Sequence, residues 1–112
     1  MIRGDIWWVD FGEPLGSEPG WRRPAVIVQS DEFNKSYMNT TVVIPLTTNL
    51  RLAEFPGNVL LSKQDSKLSK DSVAVTPQIT VIDSIRLVEH VSVLPISSMT
   101  SISEGIRLLL AL

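Results

Sequence analysis

The residues of this chain that are best suited to chemistry are arginines and hydroxyls. Arg22 and Arg23 stand directly before Pro24 and a run of four apolar residues, and Thr47 and Thr48 follow a second apolar run. A guanidinium donates a planar fork of hydrogen bonds that fits a phosphate, and a hydroxyl adds one more donor to developing negative charge. If the two runs are neighbouring strands, Arg23 and Thr47 face one concave site that suits phosphoryl chemistry without a metal.

The same residues also have an ordinary structural interpretation. Arg22 and Arg23 can be solvated surface charges, and Thr47-Thr48 can simply end a strand. Spacing alone favours this interpretation, because both strings are short and common. Trp21 points the other way, since an aromatic ring next to cations at the end of a loop can stack on a nucleobase.

The composition excludes several other kinds of site. The chain has no cysteine, which excludes a disulfide framework and a thiolate metal site. Its single histidine, His90, has no partner at zinc-ligand spacing and alternates with apolar residues, which favours a solvent-facing strand histidine over a catalytic one. The glycine-rich phosphate-binding motifs and the GxSxG serine motif are also absent. The sequence therefore predicts no metal and no cofactor.

Length and charge bound the class of protein. We expect residues 1–112 to form one domain, and no apolar run approaches the 18 residues of a membrane span. Met1 leads directly into charged Arg3 and Asp5, so no signal peptide is predicted. The absence of cysteine fits a reducing cytoplasm, which is the location we expect. The net charge of −2 disfavours a broad basic patch, which leaves either a local nucleic-acid site made by clustered arginines or a protein-binding module.

Short apolar runs separated by turn residues predict a mainly β fold. The first strand carries Trp7 and Trp8 on opposite faces, so we assign Trp8 to the core and leave Trp7 undecided, with a subunit interface as one option. Pro45 is expected to force a bulge or an edge position in the third strand. The predicted strands are 5–11, 25–29, 40–47, 58–61, 71–76 and 88–94.

Helical patterns are confined to two single turns and the tail. We expect Ser30 or Asp31 to cap one turn and Asp83 the other. In the tail, Met99, Ile102, Ile106 and Leu109 recur at helical spacing. Ser97 or Ser98 is expected to cap that helix, and Ser101 with Glu104 offers a second start as a capping box. Several short strands with one terminal helix predict a small antiparallel barrel followed by a C-terminal α-helix.

Seven short motifs follow one another along nearly the whole chain. They are Ile2-Arg3-Gly4-Asp5-Ile6-Trp7, Gly16-Ser17-Glu18, Arg23-Pro24-Ala25-Val26-Ile27-Val28-Gln29, Pro45-Leu46-Thr47-Thr48-Asn49, Lys70-Asp71-Ser72-Val73, Gln78-Ile79 and Ile82-Asp83. In their order and spacing, the chain resembles the MazF/PemK-like toxins of bacterial toxin–antitoxin pairs. Where the family commonly has Glu-Gln-Ile-Arg, this chain has Pro77-Gln78-Ile79-Thr80, a difference that bears on the RNA recognised rather than on the fold.

The resemblance implies a homodimer of SH3-like barrels that cleaves single-stranded RNA without metal. In that chemistry a ribose 2′-OH attacks the adjacent phosphorus and leaves a 2′,3′-cyclic phosphate and a 5′-OH. Arg23 and Thr47 match the family's catalytic arginine and threonine, and an antitoxin of the MazE type is the implied protein partner. The residues predicted to contact RNA are Ser17, Glu18, Asn49 and Gln78 from the resemblance, together with Trp21 and Arg22.

Two alternatives stay open at this point. A non-enzymatic toxin of the CcdB type shares the fold and poisons DNA gyrase, but those proteins use a tryptophan near the C-terminus, whereas here all three tryptophans lie within the first 21 residues. The second alternative is an inactive barrel that only binds the antitoxin.

Overall fold

The computed structural model of the protein describes residues 1–112 and contains seven strands and three helices. The strands are β1 Asp5–Asp10, β2 Arg22–Ile27, β3 Thr40–Thr47, β4 Val59–Leu61, β5 Ser72–Ala74, β6 Thr80–Asp83 and β7 Leu87–Val93. The helices are α1 Asp31–Asn34, α2 Lys63–Ser66 and α3 Ile96–Leu110. Strand β6 and helix α2 were not predicted from the sequence.

All strand pairs are antiparallel, in the order β4-β5-β3-β2-β1-β7, with β6 also paired to β3. The predicted mainly β fold with a C-terminal helix is confirmed. The predicted barrel is not closed by hydrogen bonds, because β4 pairs only with β5 and β7 pairs only with β1.

The expectation that Pro45 forces a bulge or an edge position is wrong, because β3 is a central strand with an unbroken register to β2. On its other side, β3 pairs with β6 up to Val43 and with β5 from Leu46 onward. Pro45 lies at this change of partner, where only its carbonyl is used, as the acceptor of the Val75 N–H at 3.1 Å. A missing N–H is therefore tolerated at this point of the strand.

The sheet has an apolar cluster on each face. The larger cluster lies between the sheet and α3 and includes Ile6, Val26, Ile44, Leu46, Leu61, Ala74, Met99 and Ile102. The smaller one lies on the opposite face and consists of Val9, Ala25, Ile27, Val43 and Ile82. Side chains alternate between the faces of a strand, so both clusters draw on the same three central strands.

The predicted capping residues are found in the two helical turns but not in the C-terminal helix. Ser30 caps α1 and Asp83 caps the 3₁₀ turn Ser84–Arg86, as expected. Helix α3 instead begins at Ile96, directly after Pro95, without a side-chain cap, so the predicted starts at Ser97 or Ser98 and at Ser101 are wrong. Proline has a φ suited to a helix entrance, which starts α3 before either serine. None of the helices is both long enough and apolar enough to cross a bilayer.

Gly105, in the interior of α3, packs directly against a loop. A β-carbon on Gly105 would overlap the carbonyl oxygen of Gly57, and the Thr76 side chain lies close by. The Thr76 hydroxyl also donates a hydrogen bond of 2.5 Å to the same carbonyl. Backbone therefore meets backbone here, which explains a glycine where alanine would favour the helix by roughly 1 kcal/mol.

Candidate active site

Arg23 and Thr47 lie level with each other on neighbouring strands. Ala25 of β2 pairs with Pro45 of β3, and the same register extended by two residues brings Arg23 opposite Thr47. Both residues are two positions from members of these pairs, so they fall on the same face of the sheet as Ala25. The structure thus brings together the two residues predicted to act on phosphate.

A cavity of about 300 Å³ lies across the ends of these two strands. Its lining consists of Trp8, Gly20, Trp21, Arg22, Arg23, Pro24, Leu46, Thr47 and Thr48. No carboxylate or imidazole is among these residues, so the only charges on the wall are two guanidinium groups. We call this the Arg23 cavity. It is suited to an anionic ligand.

The Arg23 guanidinium has no partner within the protein. Its Nε is buried and makes no hydrogen bond, and the single ion pair in the structure joins two other residues, His90 and Asp5. An unsatisfied buried polar group costs about 1–3 kcal/mol, more when charged, and such groups are rare in folded proteins. A phosphate oxygen would supply the acceptor that Arg23 lacks.

Thr47 is held by the chain that follows it. Its Oγ1 accepts the backbone N–H of Asn49 at 3.2 Å, which leaves the hydroxyl hydrogen free to be donated. The Asn49 side chain in turn accepts the Arg51 N–H at 3.3 Å and caps the 3₁₀ turn Leu50–Glu54. Asn49 therefore lies next to the Arg23 cavity, where it orients the Thr47 hydroxyl.

Trp21 and Arg22 are both exposed at the mouth of this cavity. Trp21 has φ of 60°, in the left-handed region. Trp8, which the sequence assigned to the core, is instead half-buried and lines the cavity. Sequence reasoning missed Trp8 and Leu46 as site residues. Strand alternation places both on the sheet face opposite Arg23 and Thr47, so it gave no signal for them.

The other three predicted RNA-binding residues meet in a second cavity. Ser17, Glu18 and Gln78 all line a space of about 340 Å³, which we call the Gln78 cavity. The Gln78 Oε1 atom is buried and has no hydrogen-bond partner. Pro77 and Thr80, at which the sequence differs from the family's common string, line the same cavity.

The segment 12–20 connects the two cavities. Gly20 lines the Arg23 cavity, whereas Ser17 and Glu18 line the Gln78 cavity. The predicted site residues therefore form two groups on either side of one connection rather than a single pocket.

His90 belongs to neither cavity. Its Nε2 lies 3.2 Å from Oδ1 of the buried Asp5, its side chain is 44% exposed, and its ring meets that of Trp7 edge to face at 5.4 Å. The Asp5 carboxylate also accepts the Ile2 N–H at 2.8 Å. The only imidazole of the chain is thus part of a structural contact between β1 and β7, as the strand interpretation predicted. No group of three or more potential metal ligands occurs in the structure.

Comparisons with known proteins agree with this arrangement. A sequence model of the PemK-like, MazF-like toxins of type II toxin–antitoxin systems matches residues 2–110. An endoribonuclease from Mycobacterium tuberculosis, MazF6, is 37% identical over all 112 residues and is covered to 98%. An endoribonuclease MazF from Staphylococcus saprophyticus is 38% identical over the whole chain and is covered to 92%.

Solved structures show the same fold at lower sequence identity. A MazF crystal structure from Deinococcus radiodurans superposes with a TM-score of 0.83 at 21% identity, with coverage of 100% of this chain and 97% of the other. An endoribonuclease in complex with its cognate antitoxin, from a mycobacterial species, gives 0.81 at 21% identity, with coverage of 100% and 96%.

Proposed function

Because this chain belongs to the PemK-like, MazF-like toxins of type II toxin–antitoxin systems, we propose that it is the toxin of such a pair and acts as an endoribonuclease. Its substrate is single-stranded RNA, cut at a short sequence without a metal. The full-length relatives named as endoribonucleases support this activity. The observation that carries the proposal is the unpaired Arg23 guanidinium level with the Thr47 hydroxyl in a cavity without acidic residues.

In the proposed reaction the ribose 2′-oxygen bonds to the neighbouring phosphorus and the bond to the 5′-oxygen breaks. The 2′-OH loses its proton to solvent, and the departing 5′-oxygen gains one, so the products are a 2′,3′-cyclic phosphate and a 5′-OH. Arg23 and Thr47 donate hydrogen bonds to the non-bridging oxygens as charge accumulates there. A guanidinium has five N–H donors and no acceptor, which favours a stabilising role for Arg23 over that of a base.

The remaining predicted residues are proposed to hold the RNA. Arg22 and Trp21 flank the scissile phosphate at the mouth of the Arg23 cavity, and Asn49 positions Thr47. Ser17, Glu18 and Gln78 contact a more distant nucleotide through the Gln78 cavity, where the orphaned Gln78 oxygen can accept from a base.

A MazE-like antitoxin and a second copy of the chain complete the proposed assembly, in the cytoplasm. Solved structures with the same fold include a MazE-MazF complex from Deinococcus radiodurans. An acidic, disordered antitoxin segment that folds on binding would meet the same cations as RNA. Inhibition would then be direct competition for Arg22 and Arg23.

The test is incubation of the purified protein with a long mixed RNA in EDTA, followed by mapping of the fragment ends. We expect cuts at one short sequence with cyclic phosphate ends. Arg23→Ala and Thr47→Ala should each lower the rate about a hundredfold or more while circular dichroism shows a folded protein. The control is Arg107→Ala, which removes an exposed cation from α3, and its rate should equal that of the wild type.

Near-normal cleavage by both site variants would contradict the assignment of the site. Antitoxin binding with no RNA cut by the wild type would favour the inactive barrel, and inhibition of DNA gyrase would favour the CcdB type. Salt gives a further check, because RNA binding should weaken with a slope of about −0.7 per neutralised phosphate.

A further inference from the structure

Trp21 combines two features that do not stabilise the protein. Its backbone has φ of 60°, a left-handed conformation that L-residues other than glycine rarely adopt. Its side chain is 64% exposed, so the indole contributes little to the core. Glycine would fit this backbone without strain, and a residue with a strained backbone and an exposed ring indicates a function rather than a packing role.

The backbone on both sides of Trp21 is fixed. The Trp21 N–H donates to the Gly12 carbonyl at 2.6 Å, and the Trp21 carbonyl accepts the Phe11 N–H at 2.8 Å. Gly20, just before it, is buried so closely against Pro14 that no β-carbon would fit. Arg22, just after it, lies opposite Asp10 in the register of β1 and β2. The ring is therefore carried on a rigid base at the rim of the Arg23 cavity.

The chemistry around the ring selects the kind of ligand. The wall next to it carries Arg22 and Arg23 and no carboxylate. A ligand that crosses the rim of this cavity should therefore be anionic. A neutral aromatic ring beside a phosphate site finds its natural complement in a nucleobase, because every base presents a flat π-face. A protein side chain would instead need an apolar surround, and this rim has a charged one.

From these contacts we infer that Trp21 is a preformed stacking platform for one of the two bases that flank the scissile phosphate, and that it favours a purine there. This inference rests on the proposed function. A purine overlaps the indole over a larger area than a pyrimidine does, whereas stacking offers no hydrogen bonds with which to read the base. Trp21 therefore sets the size of the base at its position, and the Gln78 cavity is left to read a base by its edges.

The experiment uses the mapped cleavage sequence in an RNA that cannot be cut, with a 2′-deoxy nucleotide at the attacking ribose. Binding is measured for the wild type and for Trp21→Phe, Trp21→Ala and Trp21→Gly. Each protein is tested against the intact RNA and against two RNAs that lack one or the other flanking base. Pyrimidine and purine versions at the same positions complete the set.

We expect Trp21→Ala and Trp21→Gly to bind the intact RNA about 5- to 100-fold more weakly, the range of a lost aromatic stack, and Trp21→Phe to fall between them and the wild type. Removal of one particular flanking base should weaken wild-type binding by a similar factor and should not weaken the alanine variant further. Trp21→Gly should melt at a temperature no lower than that of Trp21→Ala, because glycine relieves the left-handed backbone.

Several outcomes would overturn the inference. Equal RNA affinity of Trp21→Ala and the wild type would do so, as would a base-removal penalty that persists in the alanine variant. Weaker binding of an acidic antitoxin segment with unchanged RNA binding would show that the ring is a protein anchor instead. A wild-type protein that neither binds nor cuts RNA would overturn the proposed function first, and that result is visible without any variant.

Discussion

Two arginines near opposite ends of β2 have opposite surroundings. Arg3 donates from Nε to the Val28 carbonyl at 3.0 Å and from Nη2 to the Ser103 hydroxyl at 2.8 Å, which joins the end of the sheet to α3. Arg23 has a buried Nε with no acceptor at all. The same side chain is thus hydrogen-bonded at one end of the strand and unpaired at the other.

Asn34, in the network around Arg3, has all of its hydrogen-bonding groups in use. Asn34 donates to the Gln29 carbonyl at 3.0 Å and to Asp31 at 3.1 Å, and its Oδ1 accepts from Gln29 and from the buried Thr41, each at 3.0 Å. In contrast, two of the three orphaned buried polar atoms of the chain, those of Arg23 and Gln78, belong to residues that line the two candidate cavities. Arg23 and Gln78 thus differ from Arg3 and Asn34 in their missing hydrogen bonds, although the third orphaned atom, the Trp7 Nε1, lies outside both cavities.

The largest effect is expected from Arg23→Met, which removes the unpaired guanidinium and keeps the length of the side chain. RNA cleavage should fall about a hundredfold or more, while the melting temperature stays equal or rises, because an unsatisfied buried group is removed. Rate and thermal unfolding measured on the same sample provide the check. A clear loss of stability together with unchanged cleavage would reverse the roles that we assign to the two arginines.

The matched change at the other end, Arg3→Met, should act on stability instead. It removes two hydrogen bonds from a charged donor, each worth about 1.5–3 kcal/mol, and leaves the Ser103 and Val28 oxygens to water. Because water partly replaces the two bonds, we expect a decrease of about 2–4 kcal/mol in the free energy of unfolding, which is less than their sum. Urea titration measures it, and the cleavage rate per folded molecule should be unchanged. A hundredfold drop in that rate would mean that Arg3 also serves the reaction.

Asn34→Ala probes the network that surrounds Arg3. The variant leaves the buried Thr41 hydroxyl without its acceptor, and such a loss costs about 1–3 kcal/mol. Urea denaturation should show a decrease in the free energy of unfolding within this range, and the RNA affinity should not change. A variant as stable as the wild type would indicate that water replaces the amide. The hydrogen bonds around Arg3 would then not be what stabilises that end of β2.

The smallest effect concerns pH. The backbone N–H of Arg3 and then the Asn34 amide hold the pKa of Asp31 below its usual range. A lowered folded-state pKa stabilises the protein at pH values above the unfolded pKa of about 3.9. This stabilisation is lost as the pH falls through the lowered folded-state pKa. The stability difference between the wild type and Asp31→Asn should thus be full at pH 7 and should shrink in acid. A difference that is constant from pH 7 to pH 2.5 would contradict this assignment.

Much of the fold could be predicted because most strands are indicated by their own residues, without knowledge of their partners. The apolar runs at 25–29 and 40–47 are recognisable without their neighbours, and so are the caps Ser30 and Asp83. Strand β6 was missed because its four residues show no strand pattern of their own and are extended through pairing with the first half of β3. The role of Pro45 was misjudged for the same reason, since its missing N–H matters only if a partner strand faces it.

The candidate site was predictable in its members and not in its arrangement. The order of short motifs indicated Arg23, Thr47 and Gln78 together, but local sequence carries no information on whether a buried atom finds an acceptor. The division into two cavities depends on where residues 12–20 cross the strand ends. The left-handed backbone of Trp21 depends on its pairing with Phe11 and Gly12, which follows the folding of β1 against β2.

The contact between Gly105 and Gly57 also restricts how the tail of the chain can change. Each residue of a helix turns it by about 100°, so one residue inserted between Ile96 and Glu104 would carry Gly105 away from the loop and bring a side chain onto the Gly57 carbonyl. No rotamer can relieve a clash between a β-carbon and a backbone oxygen. Insertions in α3 are therefore tolerated only beyond this crossing point, in the last turn, whose exposed leucines meet no such barrier.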